Sequence, residues 1–187
     1  MGLGISQLAH EAAGLTSFLF QKQDALFLDI GGERTQIFLA KKGVLEKIQG
    51  FNGAADGFSR LLSEDLGLLE NESRDLTHRY TAGRLSEQSS QRIREFFDEA
   101  KRSWFCLLKE KLKSTELGVL PSEIFIFGGG AVLPEIREVL ENGNWEGISF
   151  LGQPRARILK PSDFLGKGRV PSFLDTPQYL PALLLAV

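Results

Sequence analysis

The spacing of apolar residues changes character along the chain, and each change predicts an element. Ile5, Leu8, Ala9, Ala12, Ala13, Leu15 and Leu19 lie close to a helical stripe and predict a leading helix over residues 5–20, which Gly14 weakens. Ala25-Leu26-Phe27-Leu28-Asp29-Ile30 is an almost unbroken apolar run ended by Gly31-Gly32, the pattern of a strand buried on both faces. Arg34 to Ala40 alternates, Lys41-Lys42-Gly43 makes a turn, and Val44 to Gln49 gives a third strand. Links this short predict an antiparallel meander. Phe58, Leu61, Leu62 and Leu66 then fall at i, i+3, i+4 and i+8. They predict a helix that begins near Asn52 or Gly53, packs on the meander and stops at Gly67.

Residues 69–85 are charged and irregular and predict no more than a short helix and a loop. The longest helical pattern runs from Ser86 to Lys113, with Ile93, Phe96, Phe97, Ala100, Trp104, Leu107, Leu108 and Leu112 on one side. A second buried strand follows at Glu123–Phe127, then Gly128-Gly129-Gly130. The next helix, Leu133 to Glu141, has Pro134 near its start and Glu135 placed to favour the helix dipole. Short strands are predicted at Ile148–Leu151 and Arg157–Leu159, and Pro177 opens a closing helix within Tyr179–Val187. This order matches one half of a ribonuclease-H-like α/β sheet. The expected fold is a mixed sheet, a three-strand antiparallel meander plus parallel strands, flanked by helices. A single unit over residues 1–187 divides into the leading helix (5–20), a sheet-and-helix core (25–160), and a tail with the closing helix (161–187).

Composition narrows the function classes. Lys and Arg total 22 against 24 Asp and Glu, a net charge of -2 that lacks the basic footprint of a nucleic-acid binder. One cysteine and two histidines exclude an internal disulfide and a Cys/His zinc cluster. No basic stretch follows Met1, and no apolar run approaches the roughly 20 residues that span a bilayer. A cytoplasmic protein is expected. Cys106, among Trp104, Phe105 and Leu107, is expected to be a buried thiol, and His10 and His78 to be solvated.

Two places carry candidate chemistry. In Leu28-Asp29-Ile30-Gly31-Gly32-Glu33-Arg34-Thr35, a carboxylate ends a buried strand and a tight glycine turn follows. Glycine lets the backbone approach a phosphate and donate N–H groups to it, and Asp29 can hold a hydrated Mg²⁺ or orient a water. A plain hairpin gives the same letters. The second place, Phe127-Gly128-Gly129-Gly130-Ala131-Val132-Leu133-Pro134, is a strand, a glycine loop and a helix start, a generic anion site. It does not spell the dinucleotide fingerprint, and a close packing turn reads the same way.

Together, in this order and about a hundred residues apart, the two turns resemble motifs of the actin-like ATPase superfamily. Asp29-Ile30-Gly31-Gly32-x-x-Thr35 resembles its second phosphate motif, and Phe127 to Pro134 its adenosine motif. Within it the nearest likeness is to FtsA/PilM-type bacterial actin homologues, whose closing helix Pro177-x-Tyr179-Leu180-Pro181-Ala182 resembles. The resemblance implies ATP and Mg²⁺ in a cleft between two halves. Asp29 would lie near the metal and the water. Gly31, Gly32 and Thr35 would grip the β- and γ-phosphates, and Gly128, Gly129 and Gly130 would border the α-phosphate and adenosine. It also implies the C-terminal half of a longer protein that scaffolds a membrane-associated complex of cell division or type IV pilus assembly. The partners would be the N-terminal actin-like half, proteins of that machinery and further copies of itself, at the periphery of the inner membrane. The isolated chain is expected to be inactive as an ATPase.

Three departures open alternatives. The first half of the cleft is not in this sequence. Glu33-Arg34-Thr35-Gln36 stands where the family continues with Gly-Thr-Thr-Asp, and Glu33 brings negative charge towards phosphates unless it turns outward, with Arg34 to compensate. Thr77 stands where a lysine facing the adenosine would align. A degenerate scaffold without nucleotide, and a small-molecule kinase or hydrolase on the same superfold, are the rival readings.

Overall fold

The computed structural model of the chain describes residues 14–15, 24–114, 118–166 and 168–185. The three predicted strands form a meander of β1 (Ala25–Ile30), β2 (Arg34–Lys41) and β3 (Val44–Asn52). Three helices follow, α1 (Ala55–Leu66), α2 (Glu70–Thr81) and α3 (Glu87–Lys113). Strand β4 (Glu123–Phe127) leads through a 3-10 turn to α4 (Pro134–Asn142), and β5 (Arg155–Ile158) leads to α5 (Pro161–Leu165). A second 3-10 turn at Pro177–Tyr179 enters the closing helix α6 (Leu180–Leu184). The five strands make one mixed sheet in the order β3-β2-β1-β4-β5, with β1 antiparallel to β2 and parallel to β4. β4 and β5 are also parallel. The sheet is the expected one.

Alternation along the central strands splits the core in two. Leu26, Leu28 and Ile30 of β1, Ile37 and Leu39 of β2, and Ile124 and Ile126 of β4 face the layer of α1, α3 and α4. Phe27, Phe38, Phe125 and Phe127 face the other way, where Leu15, Leu159, Leu180 and Leu184 cover them. Phe27 stacks on Phe125 at 5.1 Å, and Phe38 on Phe127 at 6.4 Å. β1 is therefore covered on both sides, as its unbroken apolar run requires. Leu180 and Leu184 are sealed into this second core. Of the predicted leading helix, only Gly14 and Leu15 lie within the described residues; both are helical, and Gly14 has no room for a Cβ beside the backbone of Leu184.

Elsewhere the structure corrects the expectation. Residues 70–81 form a full three-turn helix whose inward positions, Ser73 and Tyr80, are not aliphatic, so no apolar stripe announced it. Glu72 accepts from the Leu69 amide at 2.9 Å, and the acids of the first turn and the basic His78 and Arg79 of the last complement the helix dipole. Ile148–Leu151 makes only an isolated bridge, Leu120 to Phe150, and β5 begins at Arg155. Cys106 is exposed, because the buried positions of α3 (97, 100, 104, 105, 108 and 112) turn it to the solvent side. His78 is exposed as expected, and His10 lies outside the described residues.

Phe97 joins the helical layer, meeting Phe58 of α1 edge-on at 5.2 Å and Tyr80 of α2 at 5.4 Å. Phe97→Ala is expected to lower the unfolding free energy by about 3–5 kcal/mol. Cys106→Ser, further along the same helix on its exposed side, is expected to stay within about 0.5 kcal/mol. Urea titrations of the two variants check both values.

Candidate functional site

Pairing of β1 with β4 brings the two glycine turns to one rim. The register sets Asp29 beside Phe127, so the residue after each strand emerges at the same edge of the sheet. Gly128 lies directly on Asp29: a Cβ built at 128 would stand 2.3 Å from the Asp29 Oδ1 and 2.6 Å from the Ile30 carbonyl. Its φ of +85° also disfavours any side chain. Gly130 is constrained in the same way, its Cβ position lying 2.5 Å from Ile30 Cγ2 and 3.2 Å from the Cβ of Ala55. Gly129 differs. It is exposed, and a Cβ there would meet nothing within 4 Å. Val132, two residues on, leaves 41% of its surface open on the same turn and had not been singled out from the sequence.

The β1–β2 turn closes tightly, with the Gly31 amide donating to the Arg34 carbonyl at 3.0 Å. The carbonyls of Gly31 and Gly32 then accept from the amides of Ala55 and Asp56, at 3.2 and 2.7 Å. Two of the free N–H groups of α1 are thus satisfied by the glycine turn itself. Ala54 at the cap position offers no side-chain oxygen, which explains why the backbone of the turn does this work. Gly32 is exposed, and its α-hydrogen side faces the Asp56 carboxylate, 2.9 Å from a built Cβ.

Thr35 lies beneath the rim. It is fully buried, donates to the Gly53 carbonyl at 2.7 Å, and accepts from the Trp104 indole at 3.0 Å. The hydroxyl's single hydrogen is already given to Gly53. Thr35 therefore ties β2 to α3 and to the entry of α1. Thr77, at the position aligned with a lysine, donates to the Ser73 carbonyl and meets Ser59 Oγ at 3.1 Å, holding α2 to α1. Arg34 lies over Gly50, whose missing side chain leaves space for the guanidinium.

Beside the β1–β2 turn, α1 and α2 enclose a cleft of about 370 Å³ lined by Glu33, Asp56, Glu64, Glu70, Arg60 and Arg74, with serines between them. Arg74 bridges Glu70 at 2.8 Å and Asp56 at 3.5 Å. Glu33 is exposed and lines this cleft. For a nucleotide with Mg²⁺, the two sides of the rim therefore differ. At Gly129 the backbone is open, with Asp29 and the buried Gly128 packed close behind it and the Gly128 amide spent on the Pro177 carbonyl at 3.0 Å, so a phosphate and its metal can approach at Gly129. In the α1–α2 cleft four carboxylates face two arginines, which opposes an anion. Among the described residues, no group of three His, Cys, Asp or Glu is arranged to hold a metal by itself.

A buried cluster behind the second turn was not legible. Glu135, read from the sequence as a dipole partner, is 1% exposed, and the Tyr80 hydroxyl donates to its Oε1. Burial pushes the Glu135 carboxyl above its ordinary 4.5, against the pull of the Tyr80 hydrogen bond. Burial, then the bond to Glu135, pushes the Tyr80 phenol up to about 12.

No family model and no curated protein matches this sequence. Solved structures do. The PilM-PilN type IV pilus biogenesis complex matches with a TM-score of 0.73 at 18% identity, over 97% of this chain and 52% of that one. The ethanolamine utilization protein EutJ from Carboxydothermus hydrogenoformans matches at 0.61 and 15% identity, over 94% and 52%. MreB 5 of Spiroplasma citri bound to AMPPNP matches at 0.56 and 18% identity, over 83% and 54%. The chain thus spans about half the length of these structures.

The first two glycines of the second turn should respond differently to substitution. Gly128→Ala is expected to cost about 3 kcal/mol or more, the range of overpacking with backbone strain. Gly129→Ala is expected to change stability by less than about 0.5 kcal/mol. Thermal unfolding of both variants checks the contrast.

Proposed function

We propose that this chain, which has the actin-like ATPase fold, is the ATP-binding half of a PilM-type protein that scaffolds a membrane-associated bacterial complex. The single observation that carries the reading is the convergence on one rim of Asp29 and the Gly128–Gly130 turn, which is open at Gly129 and leaves no room between Asp29 and Gly128 for a side chain. In this reading Asp29 faces the Mg²⁺, Gly31 and Gly32 border the terminal phosphates, and Gly129 and Gly130 border the α-phosphate and the nucleoside. Thr35 shapes the rim from below through Gly53 and Trp104. The bound nucleotide would supply a binding free energy that the assembly state of the complex can draw on. The other wall of the cleft belongs to the other half, consistent with the match to about 52% of the PilM chain. The likeness to a PilM-PilN complex supports a protein partner in pilus-like machinery over a metabolic substrate. No helix among the described residues is long and apolar enough to cross a membrane.

A second reading, a scaffold that keeps the fold without nucleotide, draws on the carboxylates of the α1–α2 cleft and on the Arg74 bridge that already fills its mouth.

Thermal unfolding of a protein containing both halves, with and without millimolar Mg-ATP, separates the two. Nucleotide at a hundred times its dissociation constant stabilises by about 2.7 kcal/mol, and the midpoint should rise accordingly. Asp29→Ala should abolish most of that rise without lowering the midpoint of the free protein by as much. An unchanged midpoint in the unsubstituted protein leaves the scaffold. The 187-residue chain alone is expected to show no ATP turnover above buffer.

A further inference from the structure

We propose that the Glu135–Tyr80–Arg94 cluster is a proton-controlled clasp that sets the position of the Gly128–Gly130 turn, with Glu135 as its positioning residue. The proposal concerns the shape of the rim and stands whether or not the rim holds a nucleotide.

Three helices meet at this point. Glu135 belongs to the first turn of α4, Tyr80 to the last turn of α2, and Arg94 to α3. The Tyr80 hydroxyl donates to Glu135 Oε1, and the Arg94 guanidinium lies against the same hydroxyl from the solvent side. Glu135 Oε2 is buried and has no hydrogen-bond partner. An ionised carboxylate held this way keeps one strong donor and loses its water, which is costly. A protonated carboxyl leaves only a neutral oxygen or hydroxyl unsatisfied. Burial therefore raises this carboxyl's affinity for the proton.

The other charges around the cluster do not relieve this. On α4 the neighbour is Glu138, a like charge that opposes ionisation and is itself bonded to Lys101 of α3 at 3.2 Å. Lys101 is shared with Asp98 of the same helix at 2.7 Å. From β5, which packs on α4, Arg155 and Arg157 are both exposed, and Arg157 pairs with Asp163. Arg94 favours the carboxylate, but mostly from open solvent, where its field is screened.

The glycine turn follows whatever α4 does. The Ala131 amide bonds the Gly128 carbonyl at 3.2 Å, the Leu133 amide bonds Gly130 at 3.1 Å, and the Ile136 amide bonds Leu133 at 3.1 Å. Ala131, Leu133 and Ile136 are buried to 1% exposure or less, so turn and first helical turn move as one piece. Ionising Glu135 strengthens its bond to Tyr80 but leaves Oε2 charged and without a donor, and the resulting adjustment of the first turn of α4 passes along these bonds to Gly128 and Asp29. Because folding raises this carboxyl's affinity for the proton, its stabilisation is full in acid. It is lost as pH rises from 4.5 through the raised value.

Carbon-detected NMR of the full chain tests this by following the Glu135 carboxyl and the Gly129 and Gly130 amide signals through one pH titration. The expected result is a Glu135 midpoint above 4.5, with both glycine signals moving at that same midpoint. In Glu135→Gln, which keeps an oxygen for Tyr80 to donate to, the glycine movement should vanish; in Glu138→Gln it should remain. Tyr80→Phe removes the donor that favours the carboxylate and should raise the midpoint further. Glycine signals that ignore the Glu135 titration, or that still titrate in Glu135→Gln, would overturn the clasp. So would a midpoint in Tyr80→Phe that stays put or falls.

Discussion

The contact between Gly128 and Asp29 is the constraint around which the rim is arranged. Two residues about a hundred positions apart approach so closely that a methyl group at 128 would overlap a carboxylate oxygen and a carbonyl. Parallel pairing of β1 with β4 brings them together, and everything between the two strands has to make that pairing possible. The three helices of the crossover do so by covering one face of the sheet with a continuous apolar layer. From the other side the Pro177 carbonyl accepts the Gly128 amide at 3.0 Å, so the closing segment also holds the turn in place.

The rim that results is asymmetric. On the β4 side Gly129 is open to solvent and carries no side chain, which suits a ligand that approaches closely and accepts hydrogen bonds. On the β1 side the same type of glycine turn spends two of its carbonyls on the start of α1, and the adjoining cleft is ringed by carboxylates. A helix N-terminus normally attracts anions; this one carries Asp56 in its first turn and an internal arginine bridge. Charge and hydrogen-bond supply thus point the ligand-facing character of the rim towards Gly128–Gly130, while the α1–α2 side fastens the helices to one another.

Much of the fold was legible because it rests on periodicity. The unbroken run of β1, the alternation of β2 and the stripe of α3 each follow from which faces are buried, and the structure places them within a residue or two. Helix α2 was not legible, because its inward face carries only Leu76 among aliphatic residues and is held besides by the Thr77 hydroxyl against Ser59 and by Tyr80, whose ring meets Phe97 and whose hydroxyl bonds Glu135. Cys106 was misread as buried because its neighbours in sequence are apolar, whereas helical rotation places it on the opposite face from Trp104 and Leu108. At the site, Asp29 and both glycine turns were visible as motifs, since strand-end carboxylates and consecutive glycines are rare enough to mark a turn. The burial of Thr35 and of Glu135 was not, for each is decided by a partner that lies far away in sequence: Trp104, 69 residues on, and Tyr80, 55 residues back.

The sequence by itself therefore determined the meander strands and β4, the principal helices and the two places where the backbone turns on glycine. These depend on local residue types and on spacing, which the chain carries with it wherever it folds. Only the tertiary structure decided that the turns share one rim, that a threonine in the first motif faces the core, and that a glutamate behind the second is locked beneath a tyrosine. Such outcomes depend on which distant side chain fills the space opposite, and no local pattern records that choice.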